Sequence, residues 1–204
     1  RGAYNKINNL SKEKKNNGIV CASAGNHAQG FALTCKLKKI MGYVFMPKTT
    51  PKLKINKVKE FGGEFVEIIL TGKDFYDAFD ESVIFCNEKK LNFIHPFNDY
   101  EIIEGQATLF LEILNQTDVS LDTLLIPIGG GGLISGAINV FKQLSSKTKI
   151  IGIQTMGAPA MKKSIKQNKL ITLNEIDNFV DGAAVRKVGN LTFDYCKEYL
   201  DDIV

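Results

Sequence analysis

Residues Thr123–Leu144 read TLLIPIGGGGLISGAINVFKQL. A short apolar run, Leu124–Ile128, leads into four consecutive glycines, Gly129, Gly130, Gly131 and Gly132. Leu133, Ile134, Ala137, Ile138 and Phe141 then recur at helical spacing. The pattern predicts a buried strand, a tight turn and a helix. An ordinary turn needs only one or two glycines. Main chain without Cβ atoms comes close to a ligand and aims several N–H groups at one anion. The helix start just beyond adds unpaired donors and a positive partial charge. The stretch therefore predicts a phosphate cradle, and the competing reading is a plain flexible turn. It is neither GxGxxG nor GxxxxGK[ST], so it carries neither a dinucleotide nor a Walker signature.

The bulk properties are those of an ordinary globular protein. The chain has 204 residues, 44% hydrophobic and 24% charged, with a net charge of +4. That length gives one or two domains with a core large enough to fold. The lysines are spread over polar helix faces, and no aromatic-interleaved basic patch points to nucleic acid. The cysteines Cys21, Cys35, Cys86 and Cys196 form no CxxC pair, and His27 and His95 are the two histidines, so a zinc site is not expected. Scattered cysteines in apolar surroundings suit a reducing compartment. No apolar run is long enough to span a bilayer and no secretory leader is visible, so the expected location is cytoplasmic. Residue 1 is Arg and the chain stops at DDIV, so an internal piece of a longer chain is expected.

Outward from the cradle, strand and helix patterns alternate. Helices are expected over residues 1–15, 31–37, 52–61, 74–89, 104–114, 158–167 and 192–200. Strands are expected over 19–22, 39–47, 64–70, 91–94 and 149–154, with an irregular stretch at 178–185. Such alternation predicts parallel sheets covered on both faces. Two sheet systems are expected, one from about Gly18 to His95 and one resuming at the cradle.

A second polar turn follows the first strand: SAGNHAQG, Ser23–Gly30. Ligands of open α/β sheets sit at the carboxyl ends of strands. Ser23, Gly25 and Asn26 offer small side chains and accessible N–H groups there, which can hold a carboxylate without arginine. Asn26 has both a donor and an acceptor, enough to read a hydroxyl on a ring. An ordinary capped helix start fits the same residues, and His27 reads more simply as a packing or capping residue than as a catalyst. Taken together, one turn suits a phosphate and the other a carboxylate plus a ring substituent. Pyridoxal 5'-phosphate joined to an amino acid presents all three, provided both turns face one crevice.

RGAYNK at Arg1–Lys6, SAGNHAQG, the MPK of Met46–Lys48, EGQAT at Glu104–Thr108, PIGGGGL and DGAAV at Asp181–Val185 resemble the threonine dehydratase family. These are fold-type II pyridoxal-phosphate enzymes, related to serine racemase and serine dehydratase. The resemblance runs over essentially the whole chain. It implies two parallel-sheet, three-layer α/β domains of the tryptophan synthase β-like kind, here truncated at both ends. Residues 18–95 would be the small mobile domain, and 1–17 with 96–204 part of the large cofactor-binding one.

The resemblance also implies roles. Asn26 would hydrogen-bond the ring 3'-oxygen. Gly129, Gly130, Gly131, Gly132 and Leu133 would hold the phosphate, and Gly182 would line the cofactor pocket. Ser23, Ala24, Gly25, Asn26 and His27 would grip the substrate carboxylate. The expected reaction is α,β-elimination of L-threonine, and of L-serine, to a 2-oxo acid and ammonia, in isoleucine biosynthesis or threonine catabolism. The partners implied are a small amino-acid substrate and further copies in a dimer or tetramer, with no nucleic acid and no membrane.

Departures from the family pattern qualify this. The family's Schiff-base lysine lies two residues before the arginine that Arg1 matches, so no catalytic lysine is expected in these residues; Lys6 and Lys12 fall on the wrong side of the motif. Ala107 stands where GQGT has its second glycine. Serine racemases carry a proton-exchanging serine where this chain has Ala24, which favours the lyase. Gln154, Ala158 and Ala160 supply no carboxylate for the divalent ion of racemase-type members, so no metal is expected. The alternatives are a serine racemase or serine dehydratase relative, and a catalytically silent cofactor-binding fragment. A generic nucleotide-phosphate binder ranks last, for want of an acidic ribose-reading residue.

Overall fold

The computed structural model describes residues 1–204. The chain forms two compact units, Arg1–Pro96 and Phe97–Val204. No helix is long and apolar enough to cross a membrane.

The first unit opens with helices α1 (Gly2–Asn9) and α2 (Lys12–Asn17). Strand β1 (Ile19–Ala22), helix α3 (Asn26–Lys38), strand β2 (Gly42–Pro47) and helix α4 (Lys52–Gly62) follow. After a short 3-10 turn come β3 (Val66–Thr71), α5 (Phe75–Glu88) and β4 (Asn92–Phe93). The sheet is parallel throughout, in the order β3-β2-β1-β4. β1 is central, and all its side chains are buried. This explains its unbroken apolar sequence, IVCA, in place of an alternating one. Alternate residues face opposite layers. Val20, Ala22, Tyr43 and Phe45 pack with Phe75, Phe79 and Phe85 of α5. On the other face Gly42, in register with Ile19, lies so close to α3 that a Cβ would stand 2.4 Å from Cys35 Sγ. This unit is therefore layered as helix, sheet, helix.

The second unit carries α6 (Tyr100–Gln116), β5 (Thr123–Pro127), α7 (Gly132–Leu144), β6 (Lys149–Ile153), α8 (Ala160–Lys166), α9 (Asn190–Tyr199) and β7 (Asp202–Ile203). Its parallel sheet has the order β5-β6-β7. Ile128, Ile134, Ile138, Phe141 and Ile150 form its buried centre. α6 and α7 approach closely because Gly136 faces the Gln106–Ala107 backbone, where a Cβ would stand 2.8 Å from the Ala107 amide. Asp99 caps α6, its carboxylate accepting from the amides of Glu101 and Ile102.

Several sequence expectations need correction. The helix expected over residues 1–15 is two: Leu10 is extended, and Ser11 caps a second helix by accepting from the Lys14 amide at 3.2 Å. The helix expected from Phe31 begins at Asn26, with Gly25 as its cap, so most of SAGNHAQG is first-turn helix. The strand expected to be buried before the glycines is only partly so. Ile126 is covered, but Leu125 on the opposite face is 61% exposed. β7 has no counterpart among the expected strands; it pairs with β6 at the carboxyl end of the chain.

Candidate functional site

The glycine run forms the turn between β5 and α7, with Gly131 as the helix cap. Ile128 still donates to the Ile153 carbonyl, which ends the ladder. Beyond it, the amides of Gly129, Gly130, Gly131, Gly132, Leu133 and Ile134 donate to no group of the chain. Four of these, Gly131 to Ile134, are the unpaired donors of any helix start, and two precede it. Gly131, Gly132 and Ile134 are buried. Successive buried N–H groups without acceptors are costly unless something accepts from them. With the positive end of α7 behind them, they suit a multiply charged anion.

The structure gives the glycines a further reason. A Cβ on Gly130 would stand 2.2 Å from the Phe97 ring, and one on Gly132 would stand 3.0 Å from Phe97 Cβ. Gly131 has φ +98°, and its Cβ would stand 2.6 Å from Thr192 Cβ. The loop is thus pressed onto Phe97 and the start of α9. Gly189 donates to the Gly130 carbonyl at 3.4 Å and the Thr192 hydroxyl donates to it at 2.6 Å. The Leu191 amide donates to Asn98 Oδ1 at 3.1 Å, which pins the same helix start. Phe97 and Thr192 were not legible as site residues, because each meets the loop from far along the chain.

Gly182 lies beside this cradle. A Cβ on Gly129 would stand 3.2 Å from Ala183 Cα and 3.5 Å from the Gly182 carbonyl oxygen. Gly182 itself faces open space, with nothing within 4 Å of its own Cβ position. The chain's own packing therefore gives no reason for glycine at 182.

In the first unit, the Ser23 amide donates to Phe45 across the sheet, and the Gly25 amide donates to Ser23 Oγ at 3.1 Å. Those two donors are used internally. The amides of Ala24, Asn26, His27 and Ala28 donate to no group of the chain. Nothing lies within 4 Å of a Cβ on Gly25, so the space before this helix start is open. Asn26 is exposed, and its side chain makes no hydrogen bond within the chain. His27 is turned elsewhere: its Nε2 lies 3.1 Å from the Ile94 carbonyl. A carbonyl only accepts, so Nε2 carries the proton. Burial, with a smaller push from nearby His95, lowers the His27 pKa to about 4 against the opposing pull of that bond. His27 is a neutral tie between α3 and the end of β4 through Nε2, and its backbone amide is free to bind.

All four cysteines are buried and unpaired. Burial pushes the Cys35 and Cys196 thiols up to about 12, which removes them as nucleophiles near neutral pH.

Parallel α/β units with an amide cradle at the carboxyl end of a strand define a protein built to hold a phosphorylated ligand. The chain belongs to the pyridoxal-phosphate dependent enzyme family, whose profile matches residues 1–204. It is 52% identical, over its whole length, to the L-threonine dehydratase biosynthetic IlvA of Halalkalibacterium halodurans, of which it covers 49%. Among solved structures, threonine deaminase isoform 2 from Solanum lycopersicum superposes with a TM-score of 0.93 at 41% identity, covering 100% of this chain and 58% of that one. Maize serine racemase superposes with a TM-score of 0.92 at 33% identity, covering 100% of this chain and 60% of that one. The chain spans about half the length of the curated relatives it matches.

The residues present fit the family's cofactor. Its phosphate requires hydrogen-bond donors, the amides of Gly129–Leu133 are without acceptors in the chain, and the glycine at 182 keeps the adjoining space clear of a side chain.

Proposed function

We propose that this chain forms the cofactor- and substrate-holding part of a threonine dehydratase. The reaction is α,β-elimination of L-threonine, and of L-serine, to a 2-oxo acid and ammonia. The observation that carries the reading is the run of unpaired amides at Gly129–Ile134, in a chain 52% identical to a biosynthetic threonine dehydratase. When bound, pyridoxal 5'-phosphate supplies an electron-withdrawing ring that makes the Cα proton of the substrate acidic.

The chain's own residues bind and orient. The amides of Gly129–Leu133 hold the phosphate, and bare Gly182 makes room beside it. Asn26 reaches the ring 3'-oxygen from its exposed place at the start of α3. The free amides of Ala24, Asn26 and His27 take the substrate carboxylate, with Gly25 keeping the approach open. Ser23 shapes this turn by accepting from Gly25. Fixing both ends of the substrate-bearing group holds the reacting bonds in one geometry. The lysine that takes the Cα proton belongs two residues before Arg1 in the parent protein. Ala24 offers no proton to the opposite face of Cα, which favours elimination over racemisation. No carboxylate stands among Gln154, Ala158 and Ala160 to hold a divalent ion; Gln154 Oε1 instead accepts from the Lys162 amide at 3.0 Å.

The same proposal covers the organisation of the protein. Residues 18–95 act as a small mobile domain, and 1–17 with 96–204 belong to the large one. The boundary of the compact units at Pro96 and Phe97 lies next to the later edge of that division, whereas residues 1–17 fall in the same compact unit as 18–95. A role in isoleucine biosynthesis accords with relatives named biosynthetic threonine dehydratases, and the proposal adds a cytoplasmic homodimer or homotetramer. The test is to incubate the full-length protein, loaded with cofactor, with L-threonine and to follow 2-oxo acid formation. Steady production of 2-oxobutanoate supports the assignment. Bound cofactor without product rejects it, and D-serine formed from L-serine in place of keto acid would favour the racemase relative.

A further inference from the structure

We propose that Thr192 is a positioning residue for phosphate binding, its hydroxyl locking the Gly130–Gly131 peptide with the Gly131 N–H turned toward the ligand. The inference rests on the reading of Gly129–Leu133 as the phosphate cradle. A trans peptide is planar, so its N–H points opposite to its C=O. The carbonyl of Gly130 is held by two donors, Thr192 Oγ1 at 2.6 Å and the Gly189 amide at 3.4 Å. Both belong to the start of α9, where Gly189 is the cap. The Gly130 carbonyl therefore points toward α9, and the Gly131 amide points away from it, where the chain offers no acceptor.

A peptide between two glycines has no side chain to fix its plane and rotates at little cost. At Gly131 the backbone already sits at φ +98°, so something outside the loop must select this orientation. Thr192 is fully buried, and water cannot take its place on the carbonyl. Its hydroxyl also lies 3.2 Å from the Gly189 carbonyl, the ordinary back-bond of a helix start. The shorter contact is the one that leaves the helix. Threonine and glycine are matched in size as well: a Cβ on Gly131 would stand 2.7 Å from the same hydroxyl oxygen.

The test compares two ligands on full-length apo-protein. Pyridoxal 5'-phosphate and pyridoxal differ by the phosphate alone. Thr192→Val removes the hydroxyl and keeps the branched shape. It should weaken pyridoxal-phosphate binding about tenfold, the usual consequence of losing one buried hydrogen bond, while pyridoxal binding stays put. Thr192→Ser should restore the phosphate preference, and Thr192→Ala gives the same comparison if the valine variant does not fold. Equal pyridoxal-phosphate affinity in wild type and Thr192→Val would overturn the proposal. So would a parallel loss for both ligands, which marks general damage to the fold. If wild-type protein itself binds the two ligands equally, the cradle reading fails first.

Discussion

Gly131→Ala and Gly182→Ala separate glycines that the chain needs for itself from glycines left bare for something else. At Gly131 the backbone stands at φ +98°, which costs a residue with a Cβ roughly 1–2 kcal/mol. The new methyl would also stand 2.6 Å from Thr192 Cβ and 3.1 Å from Met161 Cε. Thr192 is held by its hydroxyl bonds and cannot step aside, so overpacking adds about 1–3 kcal/mol. The expected loss is about 2–5 kcal/mol. At Gly182 the φ is not left-handed and nothing lies within 4 Å of a Cβ, so the loss should stay within about 0.5 kcal/mol. Cofactor binding should nevertheless weaken in Gly182→Ala, because the methyl enters the space beside the cradle. Urea denaturation of the full-length apo-proteins, followed by circular dichroism, gives the stabilities, and cofactor titration gives the affinities. Equal stability losses in the two variants, or a Gly131→Ala loss under about 0.5 kcal/mol, would refute the reasoning.

Three further outcomes follow from the first unit and the thiols. Asn26→Ala removes an exposed side chain with no partner in the chain. Unfolding free energy should change by less than about 0.5 kcal/mol, while 2-oxo acid formation falls about tenfold or more for want of the ring contact. His27 has its pKa lowered from 6.5 to about 4. Between those values the unfolded chain binds more protons, so stability should fall as pH drops from 6.5 toward 4, by at most about 3 kcal/mol. His27→Gln, which keeps a donor for the Ile94 carbonyl, should flatten that slope when unfolding is measured across the range. Finally, the buried thiols should resist iodoacetamide in the native protein and react on unfolding, as read by mass spectrometry.

Much of the architecture was legible because burial leaves a periodic mark. IVCA at 19–22 is apolar without interruption since β1 is covered on both faces, and the long apolar helix after the glycines fills the second core. Legibility failed where two signals competed. Ala3, Tyr4, Ile7 and Leu10 keep helical spacing up to Leu10, which is already extended, and Ser11 then caps a new helix. Asn26 to Gly30 looked like a loop because its polar residues sit at an exposed helix start, not because the chain is irregular there. The loops that carry the proposed chemistry stood out through their composition. The residues that brace them did not: Thr192 bonds Gly130 across 62 positions of sequence, and no local pattern announces such a pairing. Gly130 and Gly132 were read as ligand glycines alone, whereas Phe97 also demands them.

The central claim is that backbone amides of the glycine run donate hydrogen bonds to the cofactor's phosphate. Full-length protein labelled with 15N-glycine reports on it directly. On adding pyridoxal 5'-phosphate, the amide resonances of Gly129, Gly130, Gly131 and Gly132 should move strongly downfield as their protons gain acceptors, and pyridoxal should leave them nearly where they were. Cofactor that binds while those four resonances stay in place would contradict the account.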